Sequence, residues 1–126
     1  MIDLYRYSKG EMDELIKSMV VLVDTREKAN DHIIKTFEKN GVAYKIRKLD
    51  YGDYSVMLPK NEKLDIPRDL MFSRKITIER KGSLEEISGN LTNDRDRLEK
   101  ELALAPKQKV ILIENGSYED ICEKRY

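Results

Sequence analysis

Apolar and polar residues alternate along this chain in short blocks that predict strands and helices in a mixed order. The continuous β-branched run at 20–23 predicts a strand that is buried on both faces. Alternation over 42–49 predicts a half-buried strand, and shorter apolar runs predict strands over 54–58 and 75–81. A last apolar run at 109–114 predicts a final, buried strand.

Between these strands, apolar residues recur at helical spacing, and capping residues mark helix ends. Helices are expected over 11–19, from a cap at Asn30 or Asp31 to Gly41, from a capping box of Ser83 and Glu86 to about residue 91, over 94–105, and from residue 118 onward. The segment 59–75 contains two prolines and little periodicity, which predicts a long loop. A mixed order around a buried central strand favours an α/β sheet covered by helices.

The length of 126 residues fits one domain, which we expect over 20–126, after an N-terminal extension over 1–19 that carries the first short helix. Charged residues make up 38% of the chain, well above the ~25% of an ordinary domain, yet 24 Lys and Arg cancel 24 Asp and Glu. The zero net charge argues against a protein that coats DNA by bulk charge. The hydrophobic share of 40% is enough for one core.

The sequence indicates neither a membrane span nor a structural metal site. No stretch approaches the ~18 apolar residues of a spanning helix, and the polar, acidic start is unlike a signal peptide. Cys122 has no second cysteine for a disulfide, and His32 lacks a second nitrogen or sulfur ligand for zinc. We therefore expect an intracellular, cytoplasmic protein.

Acidic residues follow or interrupt three of the predicted strands. Asp24 ends the first strand, Asp53 follows a glycine turn, and Glu79 lies inside a strand. The strand period of two places Glu79 and Lys81 on one face and Arg80 on the other. An Asp and a Glu beside a Lys suit phosphodiester hydrolysis, because hard oxygens hold Mg²⁺ while the ammonium orients a water or steadies developing charge. Charged residues are so common here that this spacing alone is weak evidence.

Three ordered motifs make the pattern more specific: VVLVDTRE at 20–27, LDYGDYSV at 49–56 and ITIERK at 76–81. Together they resemble the nuclease domain of the XPF family of structure-specific endonucleases, a branch of the PD-(D/E)XK restriction-endonuclease-like superfamily. The resemblance covers about 20–114, and the matching residues are Asp24, Glu27, Gly52, Asp53, Glu79, Arg80 and Lys81. One departure is Glu85, which stands where the family usually has Asp, four residues after the Lys.

By this resemblance, the fold is a restriction-endonuclease-like α/β fold, with a mixed central sheet flanked by helices. The implied activity is hydrolysis of DNA phosphodiester bonds with Mg²⁺ or Mn²⁺, at branched, flapped or junction DNA. Asp53 and Glu79 would be inner metal ligands, and Asp24 a further ligand, directly or through water. Lys81 would position the nucleophilic water.

The resemblance implies supporting roles for four further residues. Glu27 would support the metal shell, and Arg80 would organise the site or contact a phosphate. Arg26 and Glu85 are expected in the outer shell. The implied partners are DNA and a second nuclease-domain chain, in a homodimer or heterodimer. No tandem helix-hairpin-helix domain is visible in the sequence, so we expect weak DNA binding and the absence of the family's last C-terminal elements.

Each candidate also has an ordinary structural interpretation, which the sequence leaves open. Asp24 could end a turn, Asp53 could be a turn residue, and Glu79 could pair with Lys81 on a solvated strand face. The charges that could equally be locally paired or favoured by a helix dipole are Arg80, Arg26 and Glu85. The alternative function is a non-catalytic DNA-binding or scaffold subunit of a nuclease complex, against which the retained acids and lysine argue.

Overall fold

The computed structural model describes residues 6–93, 95–104 and 108–124. Within these residues, six strands form one mixed sheet flanked by helices, which confirms the predicted α/β, restriction-endonuclease-like class. The strands are β1 (Val20–Val23), β2 (Tyr44–Ile46), β3 (Tyr54–Leu58), β4 (Leu70–Met71), β5 (Ile76–Ser83) and β6 (Gln108–Asn115). The helices are α1 (Lys9–Ser18), α2 (Asp31–Lys39), α3 (Leu84–Thr92), α4 (Arg95–Leu104) and α5 (Tyr118–Cys122).

The strand order of the sheet decides which chain segments meet at its edge. The order is β2-β1-β3-β5-β6, with β4 paired to β3 beside this path. β1 pairs antiparallel with β3, β3 pairs antiparallel with β5, and β5 pairs parallel with β6. β1, β5 and β6 therefore run in the same direction, and their carboxyl ends lie at the same edge of the sheet. The motif residues after β1 and near the end of β5 are brought together there.

The centre of the sheet is formed by β1 and β3, and the first of these confirms its prediction as a buried strand. Leu22 and Met57, one from each strand, are fully buried and pack with Val20 and Leu49. Burial of such side chains contributes about 1.5–3 kcal/mol each, which makes this pair of strands the rigid base for the residues that follow β1 and precede β3.

Two strands at the edges of the sheet are more exposed than their sequences predict. β6 was predicted as a buried strand, but Val110, Ile111 and Leu112 are 46%, 38% and 45% exposed. β2 is shorter than the predicted strand over 42–49, and its Ile46 is 66% exposed. Both strands form, but their predicted burial is wrong for the same reason: neither the alternation in β2 nor the apolar run in β6 shows whether another layer covers the strand.

The predicted loop over 59–75 is wrong, because this segment contains short regular elements. A 3₁₀ turn spans Glu62–Leu64, and β4 pairs antiparallel with the end of β3. Leu64 and Ile66 are buried against Leu15 of α1, so the first helix is anchored to the domain by this segment. The two prolines led to the loop prediction, although the buried residues between them are apolar.

The helices follow their predicted positions closely. Ser83 caps α3 through its Oγ, which accepts from the N–H of Glu86 at 3.2 Å, but the Glu86 side chain accepts from Gly82 N–H instead of closing the capping box. The predicted bounds of α4 at 94 and 105, and its stop at Pro106, lie outside the described residues. Of the helices that the structure describes, none has the length and apolar character needed to cross a membrane.

Candidate active site

Asp53 is held between β1 and β5 by a tight turn at Gly52. The Asp53 N–H donates to the carbonyl of Ile78 on β5, and the Asp53 carbonyl accepts from the N–H of Asp24 after β1, both at 2.9 Å. Gly52 has a φ of +76°, and a Cβ atom there would lie 2.8 Å from the Cβ of Thr77. Only glycine allows the turn to come this close to β5, so the Gly-Asp pair places the Asp53 carboxylate against that strand.

The Asp53 carboxylate contacts two consecutive residues of β5. Its side chain is hydrogen-bonded to the side chain of Glu79, and its Oδ2 accepts from the N–H of Arg80 at 2.8 Å. Burial raises the pKa of Asp53, and the negative charge of Glu27 raises it further. The hydrogen bonds from Arg80 and Glu79 and the positive charge of Lys81 oppose this rise without cancelling it. The carboxylate is therefore short of compensating positive charge.

Two carboxylates in hydrogen-bond contact repel each other when both are ionised. Either a shared proton or a divalent cation relieves that repulsion. Mg²⁺ prefers oxygen ligands and is commonly bound through one or two carboxylates, with waters completing its coordination. The donor chemistry of Asp53 and Glu79 therefore fits a hard divalent cation.

Asp24 uses its carboxylate to hold the segment that leads into the Gly52 turn. It is only 3% exposed; Oδ1 accepts from the N–H of Leu49 and Oδ2 from Nε of Arg26, both at 2.8 Å. Arg26 donates in turn to the Leu49 carbonyl at 2.9 Å. Burial opposes ionisation of Asp24, but these hydrogen bonds and the charge of Arg26 outweigh it and lower its pKa.

The role of Asp24 as a further metal ligand, directly or through water, stays a prediction. Across the part of the chain that the structure describes, no group of three or more His, Cys, Asp or Glu is arranged to hold a metal ion. Asp24 and Arg26 together bind the N–H and the carbonyl of Leu49. Arg26 thus has the local pairing that the sequence left open.

Arg80 directs its guanidinium into the protein, where its side chain is only 12% exposed. Its Nη1 donates to Oε2 of Glu27 at 3.1 Å and to the carbonyl of Lys28 at 3.0 Å, and its Nη2 donates to the carbonyl of Ala29 at 2.9 Å. Its Nε forms an ion pair with Glu114 of β6. These contacts tie β5 to the segment after β1 and to β6, and they favour an organising role for Arg80 over contact with a phosphate.

Glu27 is fixed by a second donor on the neighbouring strand. Its Oε2 accepts from the hydroxyl of Tyr54 at 2.5 Å, and Asn30 donates to that hydroxyl at 3.4 Å. Burial and the bond to Glu27 raise the pKa of Tyr54 to about 12, so the hydroxyl keeps its proton and remains a donor. Glu27 is thus held close enough to Asp53 for its charge to act on that carboxyl.

The Asp-x-x-Glu, Gly-Asp and Glu-Arg-Lys motifs therefore converge at one edge of the sheet. A comparison with known families finds that residues 23–126 match the ERCC4 domain. This chain belongs to the ERCC4 domain family. The family is one of structure-specific nucleases that act on DNA, so the XPF-family prediction is confirmed. No match was found among the curated proteins.

Two residues near the motifs of this ERCC4 domain were not identified from the sequence as part of the site: Glu114, which contacts Arg80, and His32, which contacts Glu114. Oε2 of Glu114 lies 2.7 Å from Nε2 of His32 on α2, and its Oε1 pairs with Nε of Arg80. The missed signal is that Glu114 ends an apolar run, as Asp24 does. His32 carries no comparable signal, because only the fold brings α2 over the end of β6.

Glu85 lies in the first turn of α3 and is exposed. Its neighbour Glu86 is the acid that turns back toward the site strand, where its Oε2 accepts from the N–H of Gly82 at 2.8 Å. An acid in the first turn is favourable for the helix dipole alone. The outer-shell role of Glu85 therefore stays a prediction.

Proposed function

We propose that this chain is a metal-dependent DNA endonuclease that hydrolyses phosphodiester bonds at branched, flapped or junction DNA inside the cell. The observation that carries this proposal is the contact of Asp53 with β5: its carboxylate accepts from the N–H of Arg80 at 2.8 Å, between Glu79 and Lys81, both of which act on its charge. Membership of the ERCC4 domain family supports the substrate class.

In this proposal, Asp53 and Glu79 hold Mg²⁺ or Mn²⁺. When bound, such a cation supplies charge for the scissile phosphate and lowers the pKa of a coordinated water. The positive charge of Lys81 acts on Asp53, which supports a role for its ammonium in orienting the attacking water or stabilising the developing negative charge. A bound phosphodiester would add negative charge to the site, and the Lys81 ammonium would compensate part of that charge.

The remaining motif residues act by holding this pair in place. Asp24 and Arg26 fix the segment before the Gly52 turn, while Arg80 fixes Glu27. In this proposal Asp24 also remains a further metal ligand, directly or through water, since a carboxylate oxygen that accepts one hydrogen bond, as Oδ1 does from Leu49, retains a second lone pair.

We also propose that the domain pairs with a second nuclease-domain chain. The support is the edge position of β6, whose Val110, Ile111 and Leu112 leave apolar surface exposed within the described structure. Unpaired edge strands with apolar side chains favour association. Sedimentation equilibrium should show a dimer at micromolar concentration, and Ile111→Lys should shift it to monomer; a monomeric wild type would contradict the pairing.

The central test is cleavage of end-labelled forked DNA with Mg²⁺, with Mn²⁺ and with EDTA. Asp53→Asn and Glu79→Gln keep the shape of each side chain but remove a ligand charge, so each should lower cleavage by about 10²-fold or more. Glu62→Gln is the matched control, since Glu62 lies on the surface with its side chain 79% exposed. Wild-type rates in Asp53→Asn, or DNA binding without cleavage by the folded wild type in either metal, would contradict the proposal and favour the scaffold alternative.

A second test addresses Lys81. Lys81→Ala should slow single-turnover cleavage by about 10² to 10³ while Mn²⁺ affinity, measured by calorimetry, stays near the wild-type value. Lys63→Ala, at a lysine that is 78% exposed, is the control. If Lys81 were only a partner on a wet strand face, its removal would cost under about 1 kcal/mol of stability and leave cleavage intact.

A further inference from the structure

We propose that Glu114 is a positioning residue of the active site, which acts through Arg80 on Glu27 and on the backbone that holds Asp53. The inference deepens the proposed nuclease function and rests on it. Glu114 lies outside the three sequence motifs, at the end of the edge strand β6.

The first observation is the environment of the Arg80 guanidinium. It is largely shielded from water, and the carboxylates that balance its charge are Glu27 and Glu114. A buried charge that loses one of its partners is costly and tends to move toward another acceptor or toward solvent. Glu114 is therefore one of the groups that decide where this guanidinium lies.

The second observation is what Arg80 itself holds. Its side chain fixes Glu27 and the carbonyls of Lys28 and Ala29, in a segment where Ala29 takes a left-handed φ of 52°. Its backbone N–H donates to Oδ2 of Asp53 at 2.8 Å. A shift of Arg80 would therefore reach both the charge of Glu27 and the position of the Asp53 carboxylate.

The third observation is that Glu114 is itself held in place. Its Oε2 lies 2.7 Å from Nε2 of His32, so α2 also contacts the carboxylate. Glu114 is 20% exposed, less than an ordinary surface acid, and each of its two oxygens has its own partner. The Glu114 side chain of β6 thus contacts both β5 and α2, as expected for a side chain that holds neighbouring elements together.

The experiment measures Mn²⁺ affinity of the full chain by calorimetry, and kcat and KM on forked DNA, for Glu114→Ala and Glu114→Gln. For Glu114→Ala we expect about a tenfold loss of Mn²⁺ affinity and about a 10- to 100-fold loss of kcat, with KM for DNA unchanged, because residues that support ligands act at this scale. Glu114→Gln keeps an oxygen that can accept from Nε of Arg80, so it should recover a large part of both losses. Glu114→Gln also provides the test if Glu114→Ala does not fold.

Two controls separate positioning from simple stability. Glu99→Ala removes a carboxylate from an exposed Arg–Glu pair, Arg95 with Glu99, and should leave both readouts unchanged. In an Arg80→Ala background, Glu114→Ala should cause little further loss of Mn²⁺ affinity, because the two residues act in series. Wild-type kcat and Mn²⁺ affinity in Glu114→Ala, even with a lowered melting temperature, would overturn the inference, as would losses that add fully in the double variant.

The wild-type chain distinguishes this inference from the proposed function. If wild type binds Mn²⁺ and cuts DNA while Glu114→Ala does so equally well, only the role of Glu114 is overturned. If wild type neither binds Mn²⁺ nor cuts DNA, the nuclease proposal is overturned, and the positioning role with it.

Discussion

The Gly52 turn offers a test of the site geometry that needs no assumption about catalysis. Gly52→Ala adds one methyl group at a residue with φ +76°, and the new Cβ atom would lie 2.8 Å from the Cβ of Thr77 and 3.3 Å from the carbonyl oxygen of Ile78. Thr77 is only 2% exposed, so its Cβ is held by the strand and cannot swing away. The turn itself must move.

The size of the effect can be separated into two parts with a matched control. Gly41 has a similar φ of +68°, but a Cβ atom there would meet nothing within 4 Å. Gly41→Ala should therefore show only the cost of a left-handed backbone, about 1 kcal/mol. Gly52→Ala should cost that amount and about 1–3 kcal/mol more, the usual range for overpacking at a site that cannot relax freely.

The assay is urea unfolding of wild type and both variants under the same metal-free conditions, with equal m-values as the check that one transition is compared. The same displacement should lower DNA cleavage by Gly52→Ala more than tenfold, since a misplacement of about 1 Å can cost about 10²-fold in rate. Gly41→Ala should cut DNA at the wild-type rate. Equal free energies of unfolding for the two variants would refute the close approach of the turn to β5.

Three further predictions follow from the charges around the site. Asp24→Ala leaves the buried N–H of Leu49 without its acceptor and should destabilise the protein by about 1–3 kcal/mol. Because the folded pKa of Asp24 is lowered, its contribution to the free energy of unfolding is full above the unfolded pKa of 3.8 and is lost as the pH falls through the folded pKa. A destabilisation by Asp24→Ala that grows at acid pH would contradict this. Asp53 has a raised folded pKa, so in EDTA Asp53→Asn should unfold at a higher urea concentration than wild type. This gain in stability should appear as the pH rises from 3.8 through the folded pKa, and equal urea midpoints at pH 7 would count against repulsion between the carboxylates. DNA binding by the isolated chain should be weak, with a slope of log K against log salt of only about −2 to −4, and tight binding of plain duplex near 0.15 M salt would reveal a basic surface that the net charge of zero conceals.

Local sequence rules were enough to predict the strands, the helix cap and the turn that form the site. The run before Asp24, the strand over Tyr54–Leu58 and the cap at Ser83 were all predictable, because each depends on spacing within a few residues. The period of two in β5 likewise separated Glu79 and Lys81 from Arg80 before any contact was known. Local rules of this kind also indicated that Gly52 leads into Asp53.

The contacts of several charged residues, in contrast, come from segments that are distant in the chain. Asp24 ends the first strand, and its Oδ1 accepts from the N–H of Leu49, which lies 25 residues away in the chain. Arg80 is paired with Glu27, 53 residues distant, and with Glu114 on a strand whose exposure the sequence also misjudged. A carboxylate or guanidinium carries the same charge whether it binds the protein backbone or a reacting phosphate. Its role is set by the partners that distant segments bring within hydrogen-bond distance, and no local spacing encodes these partners.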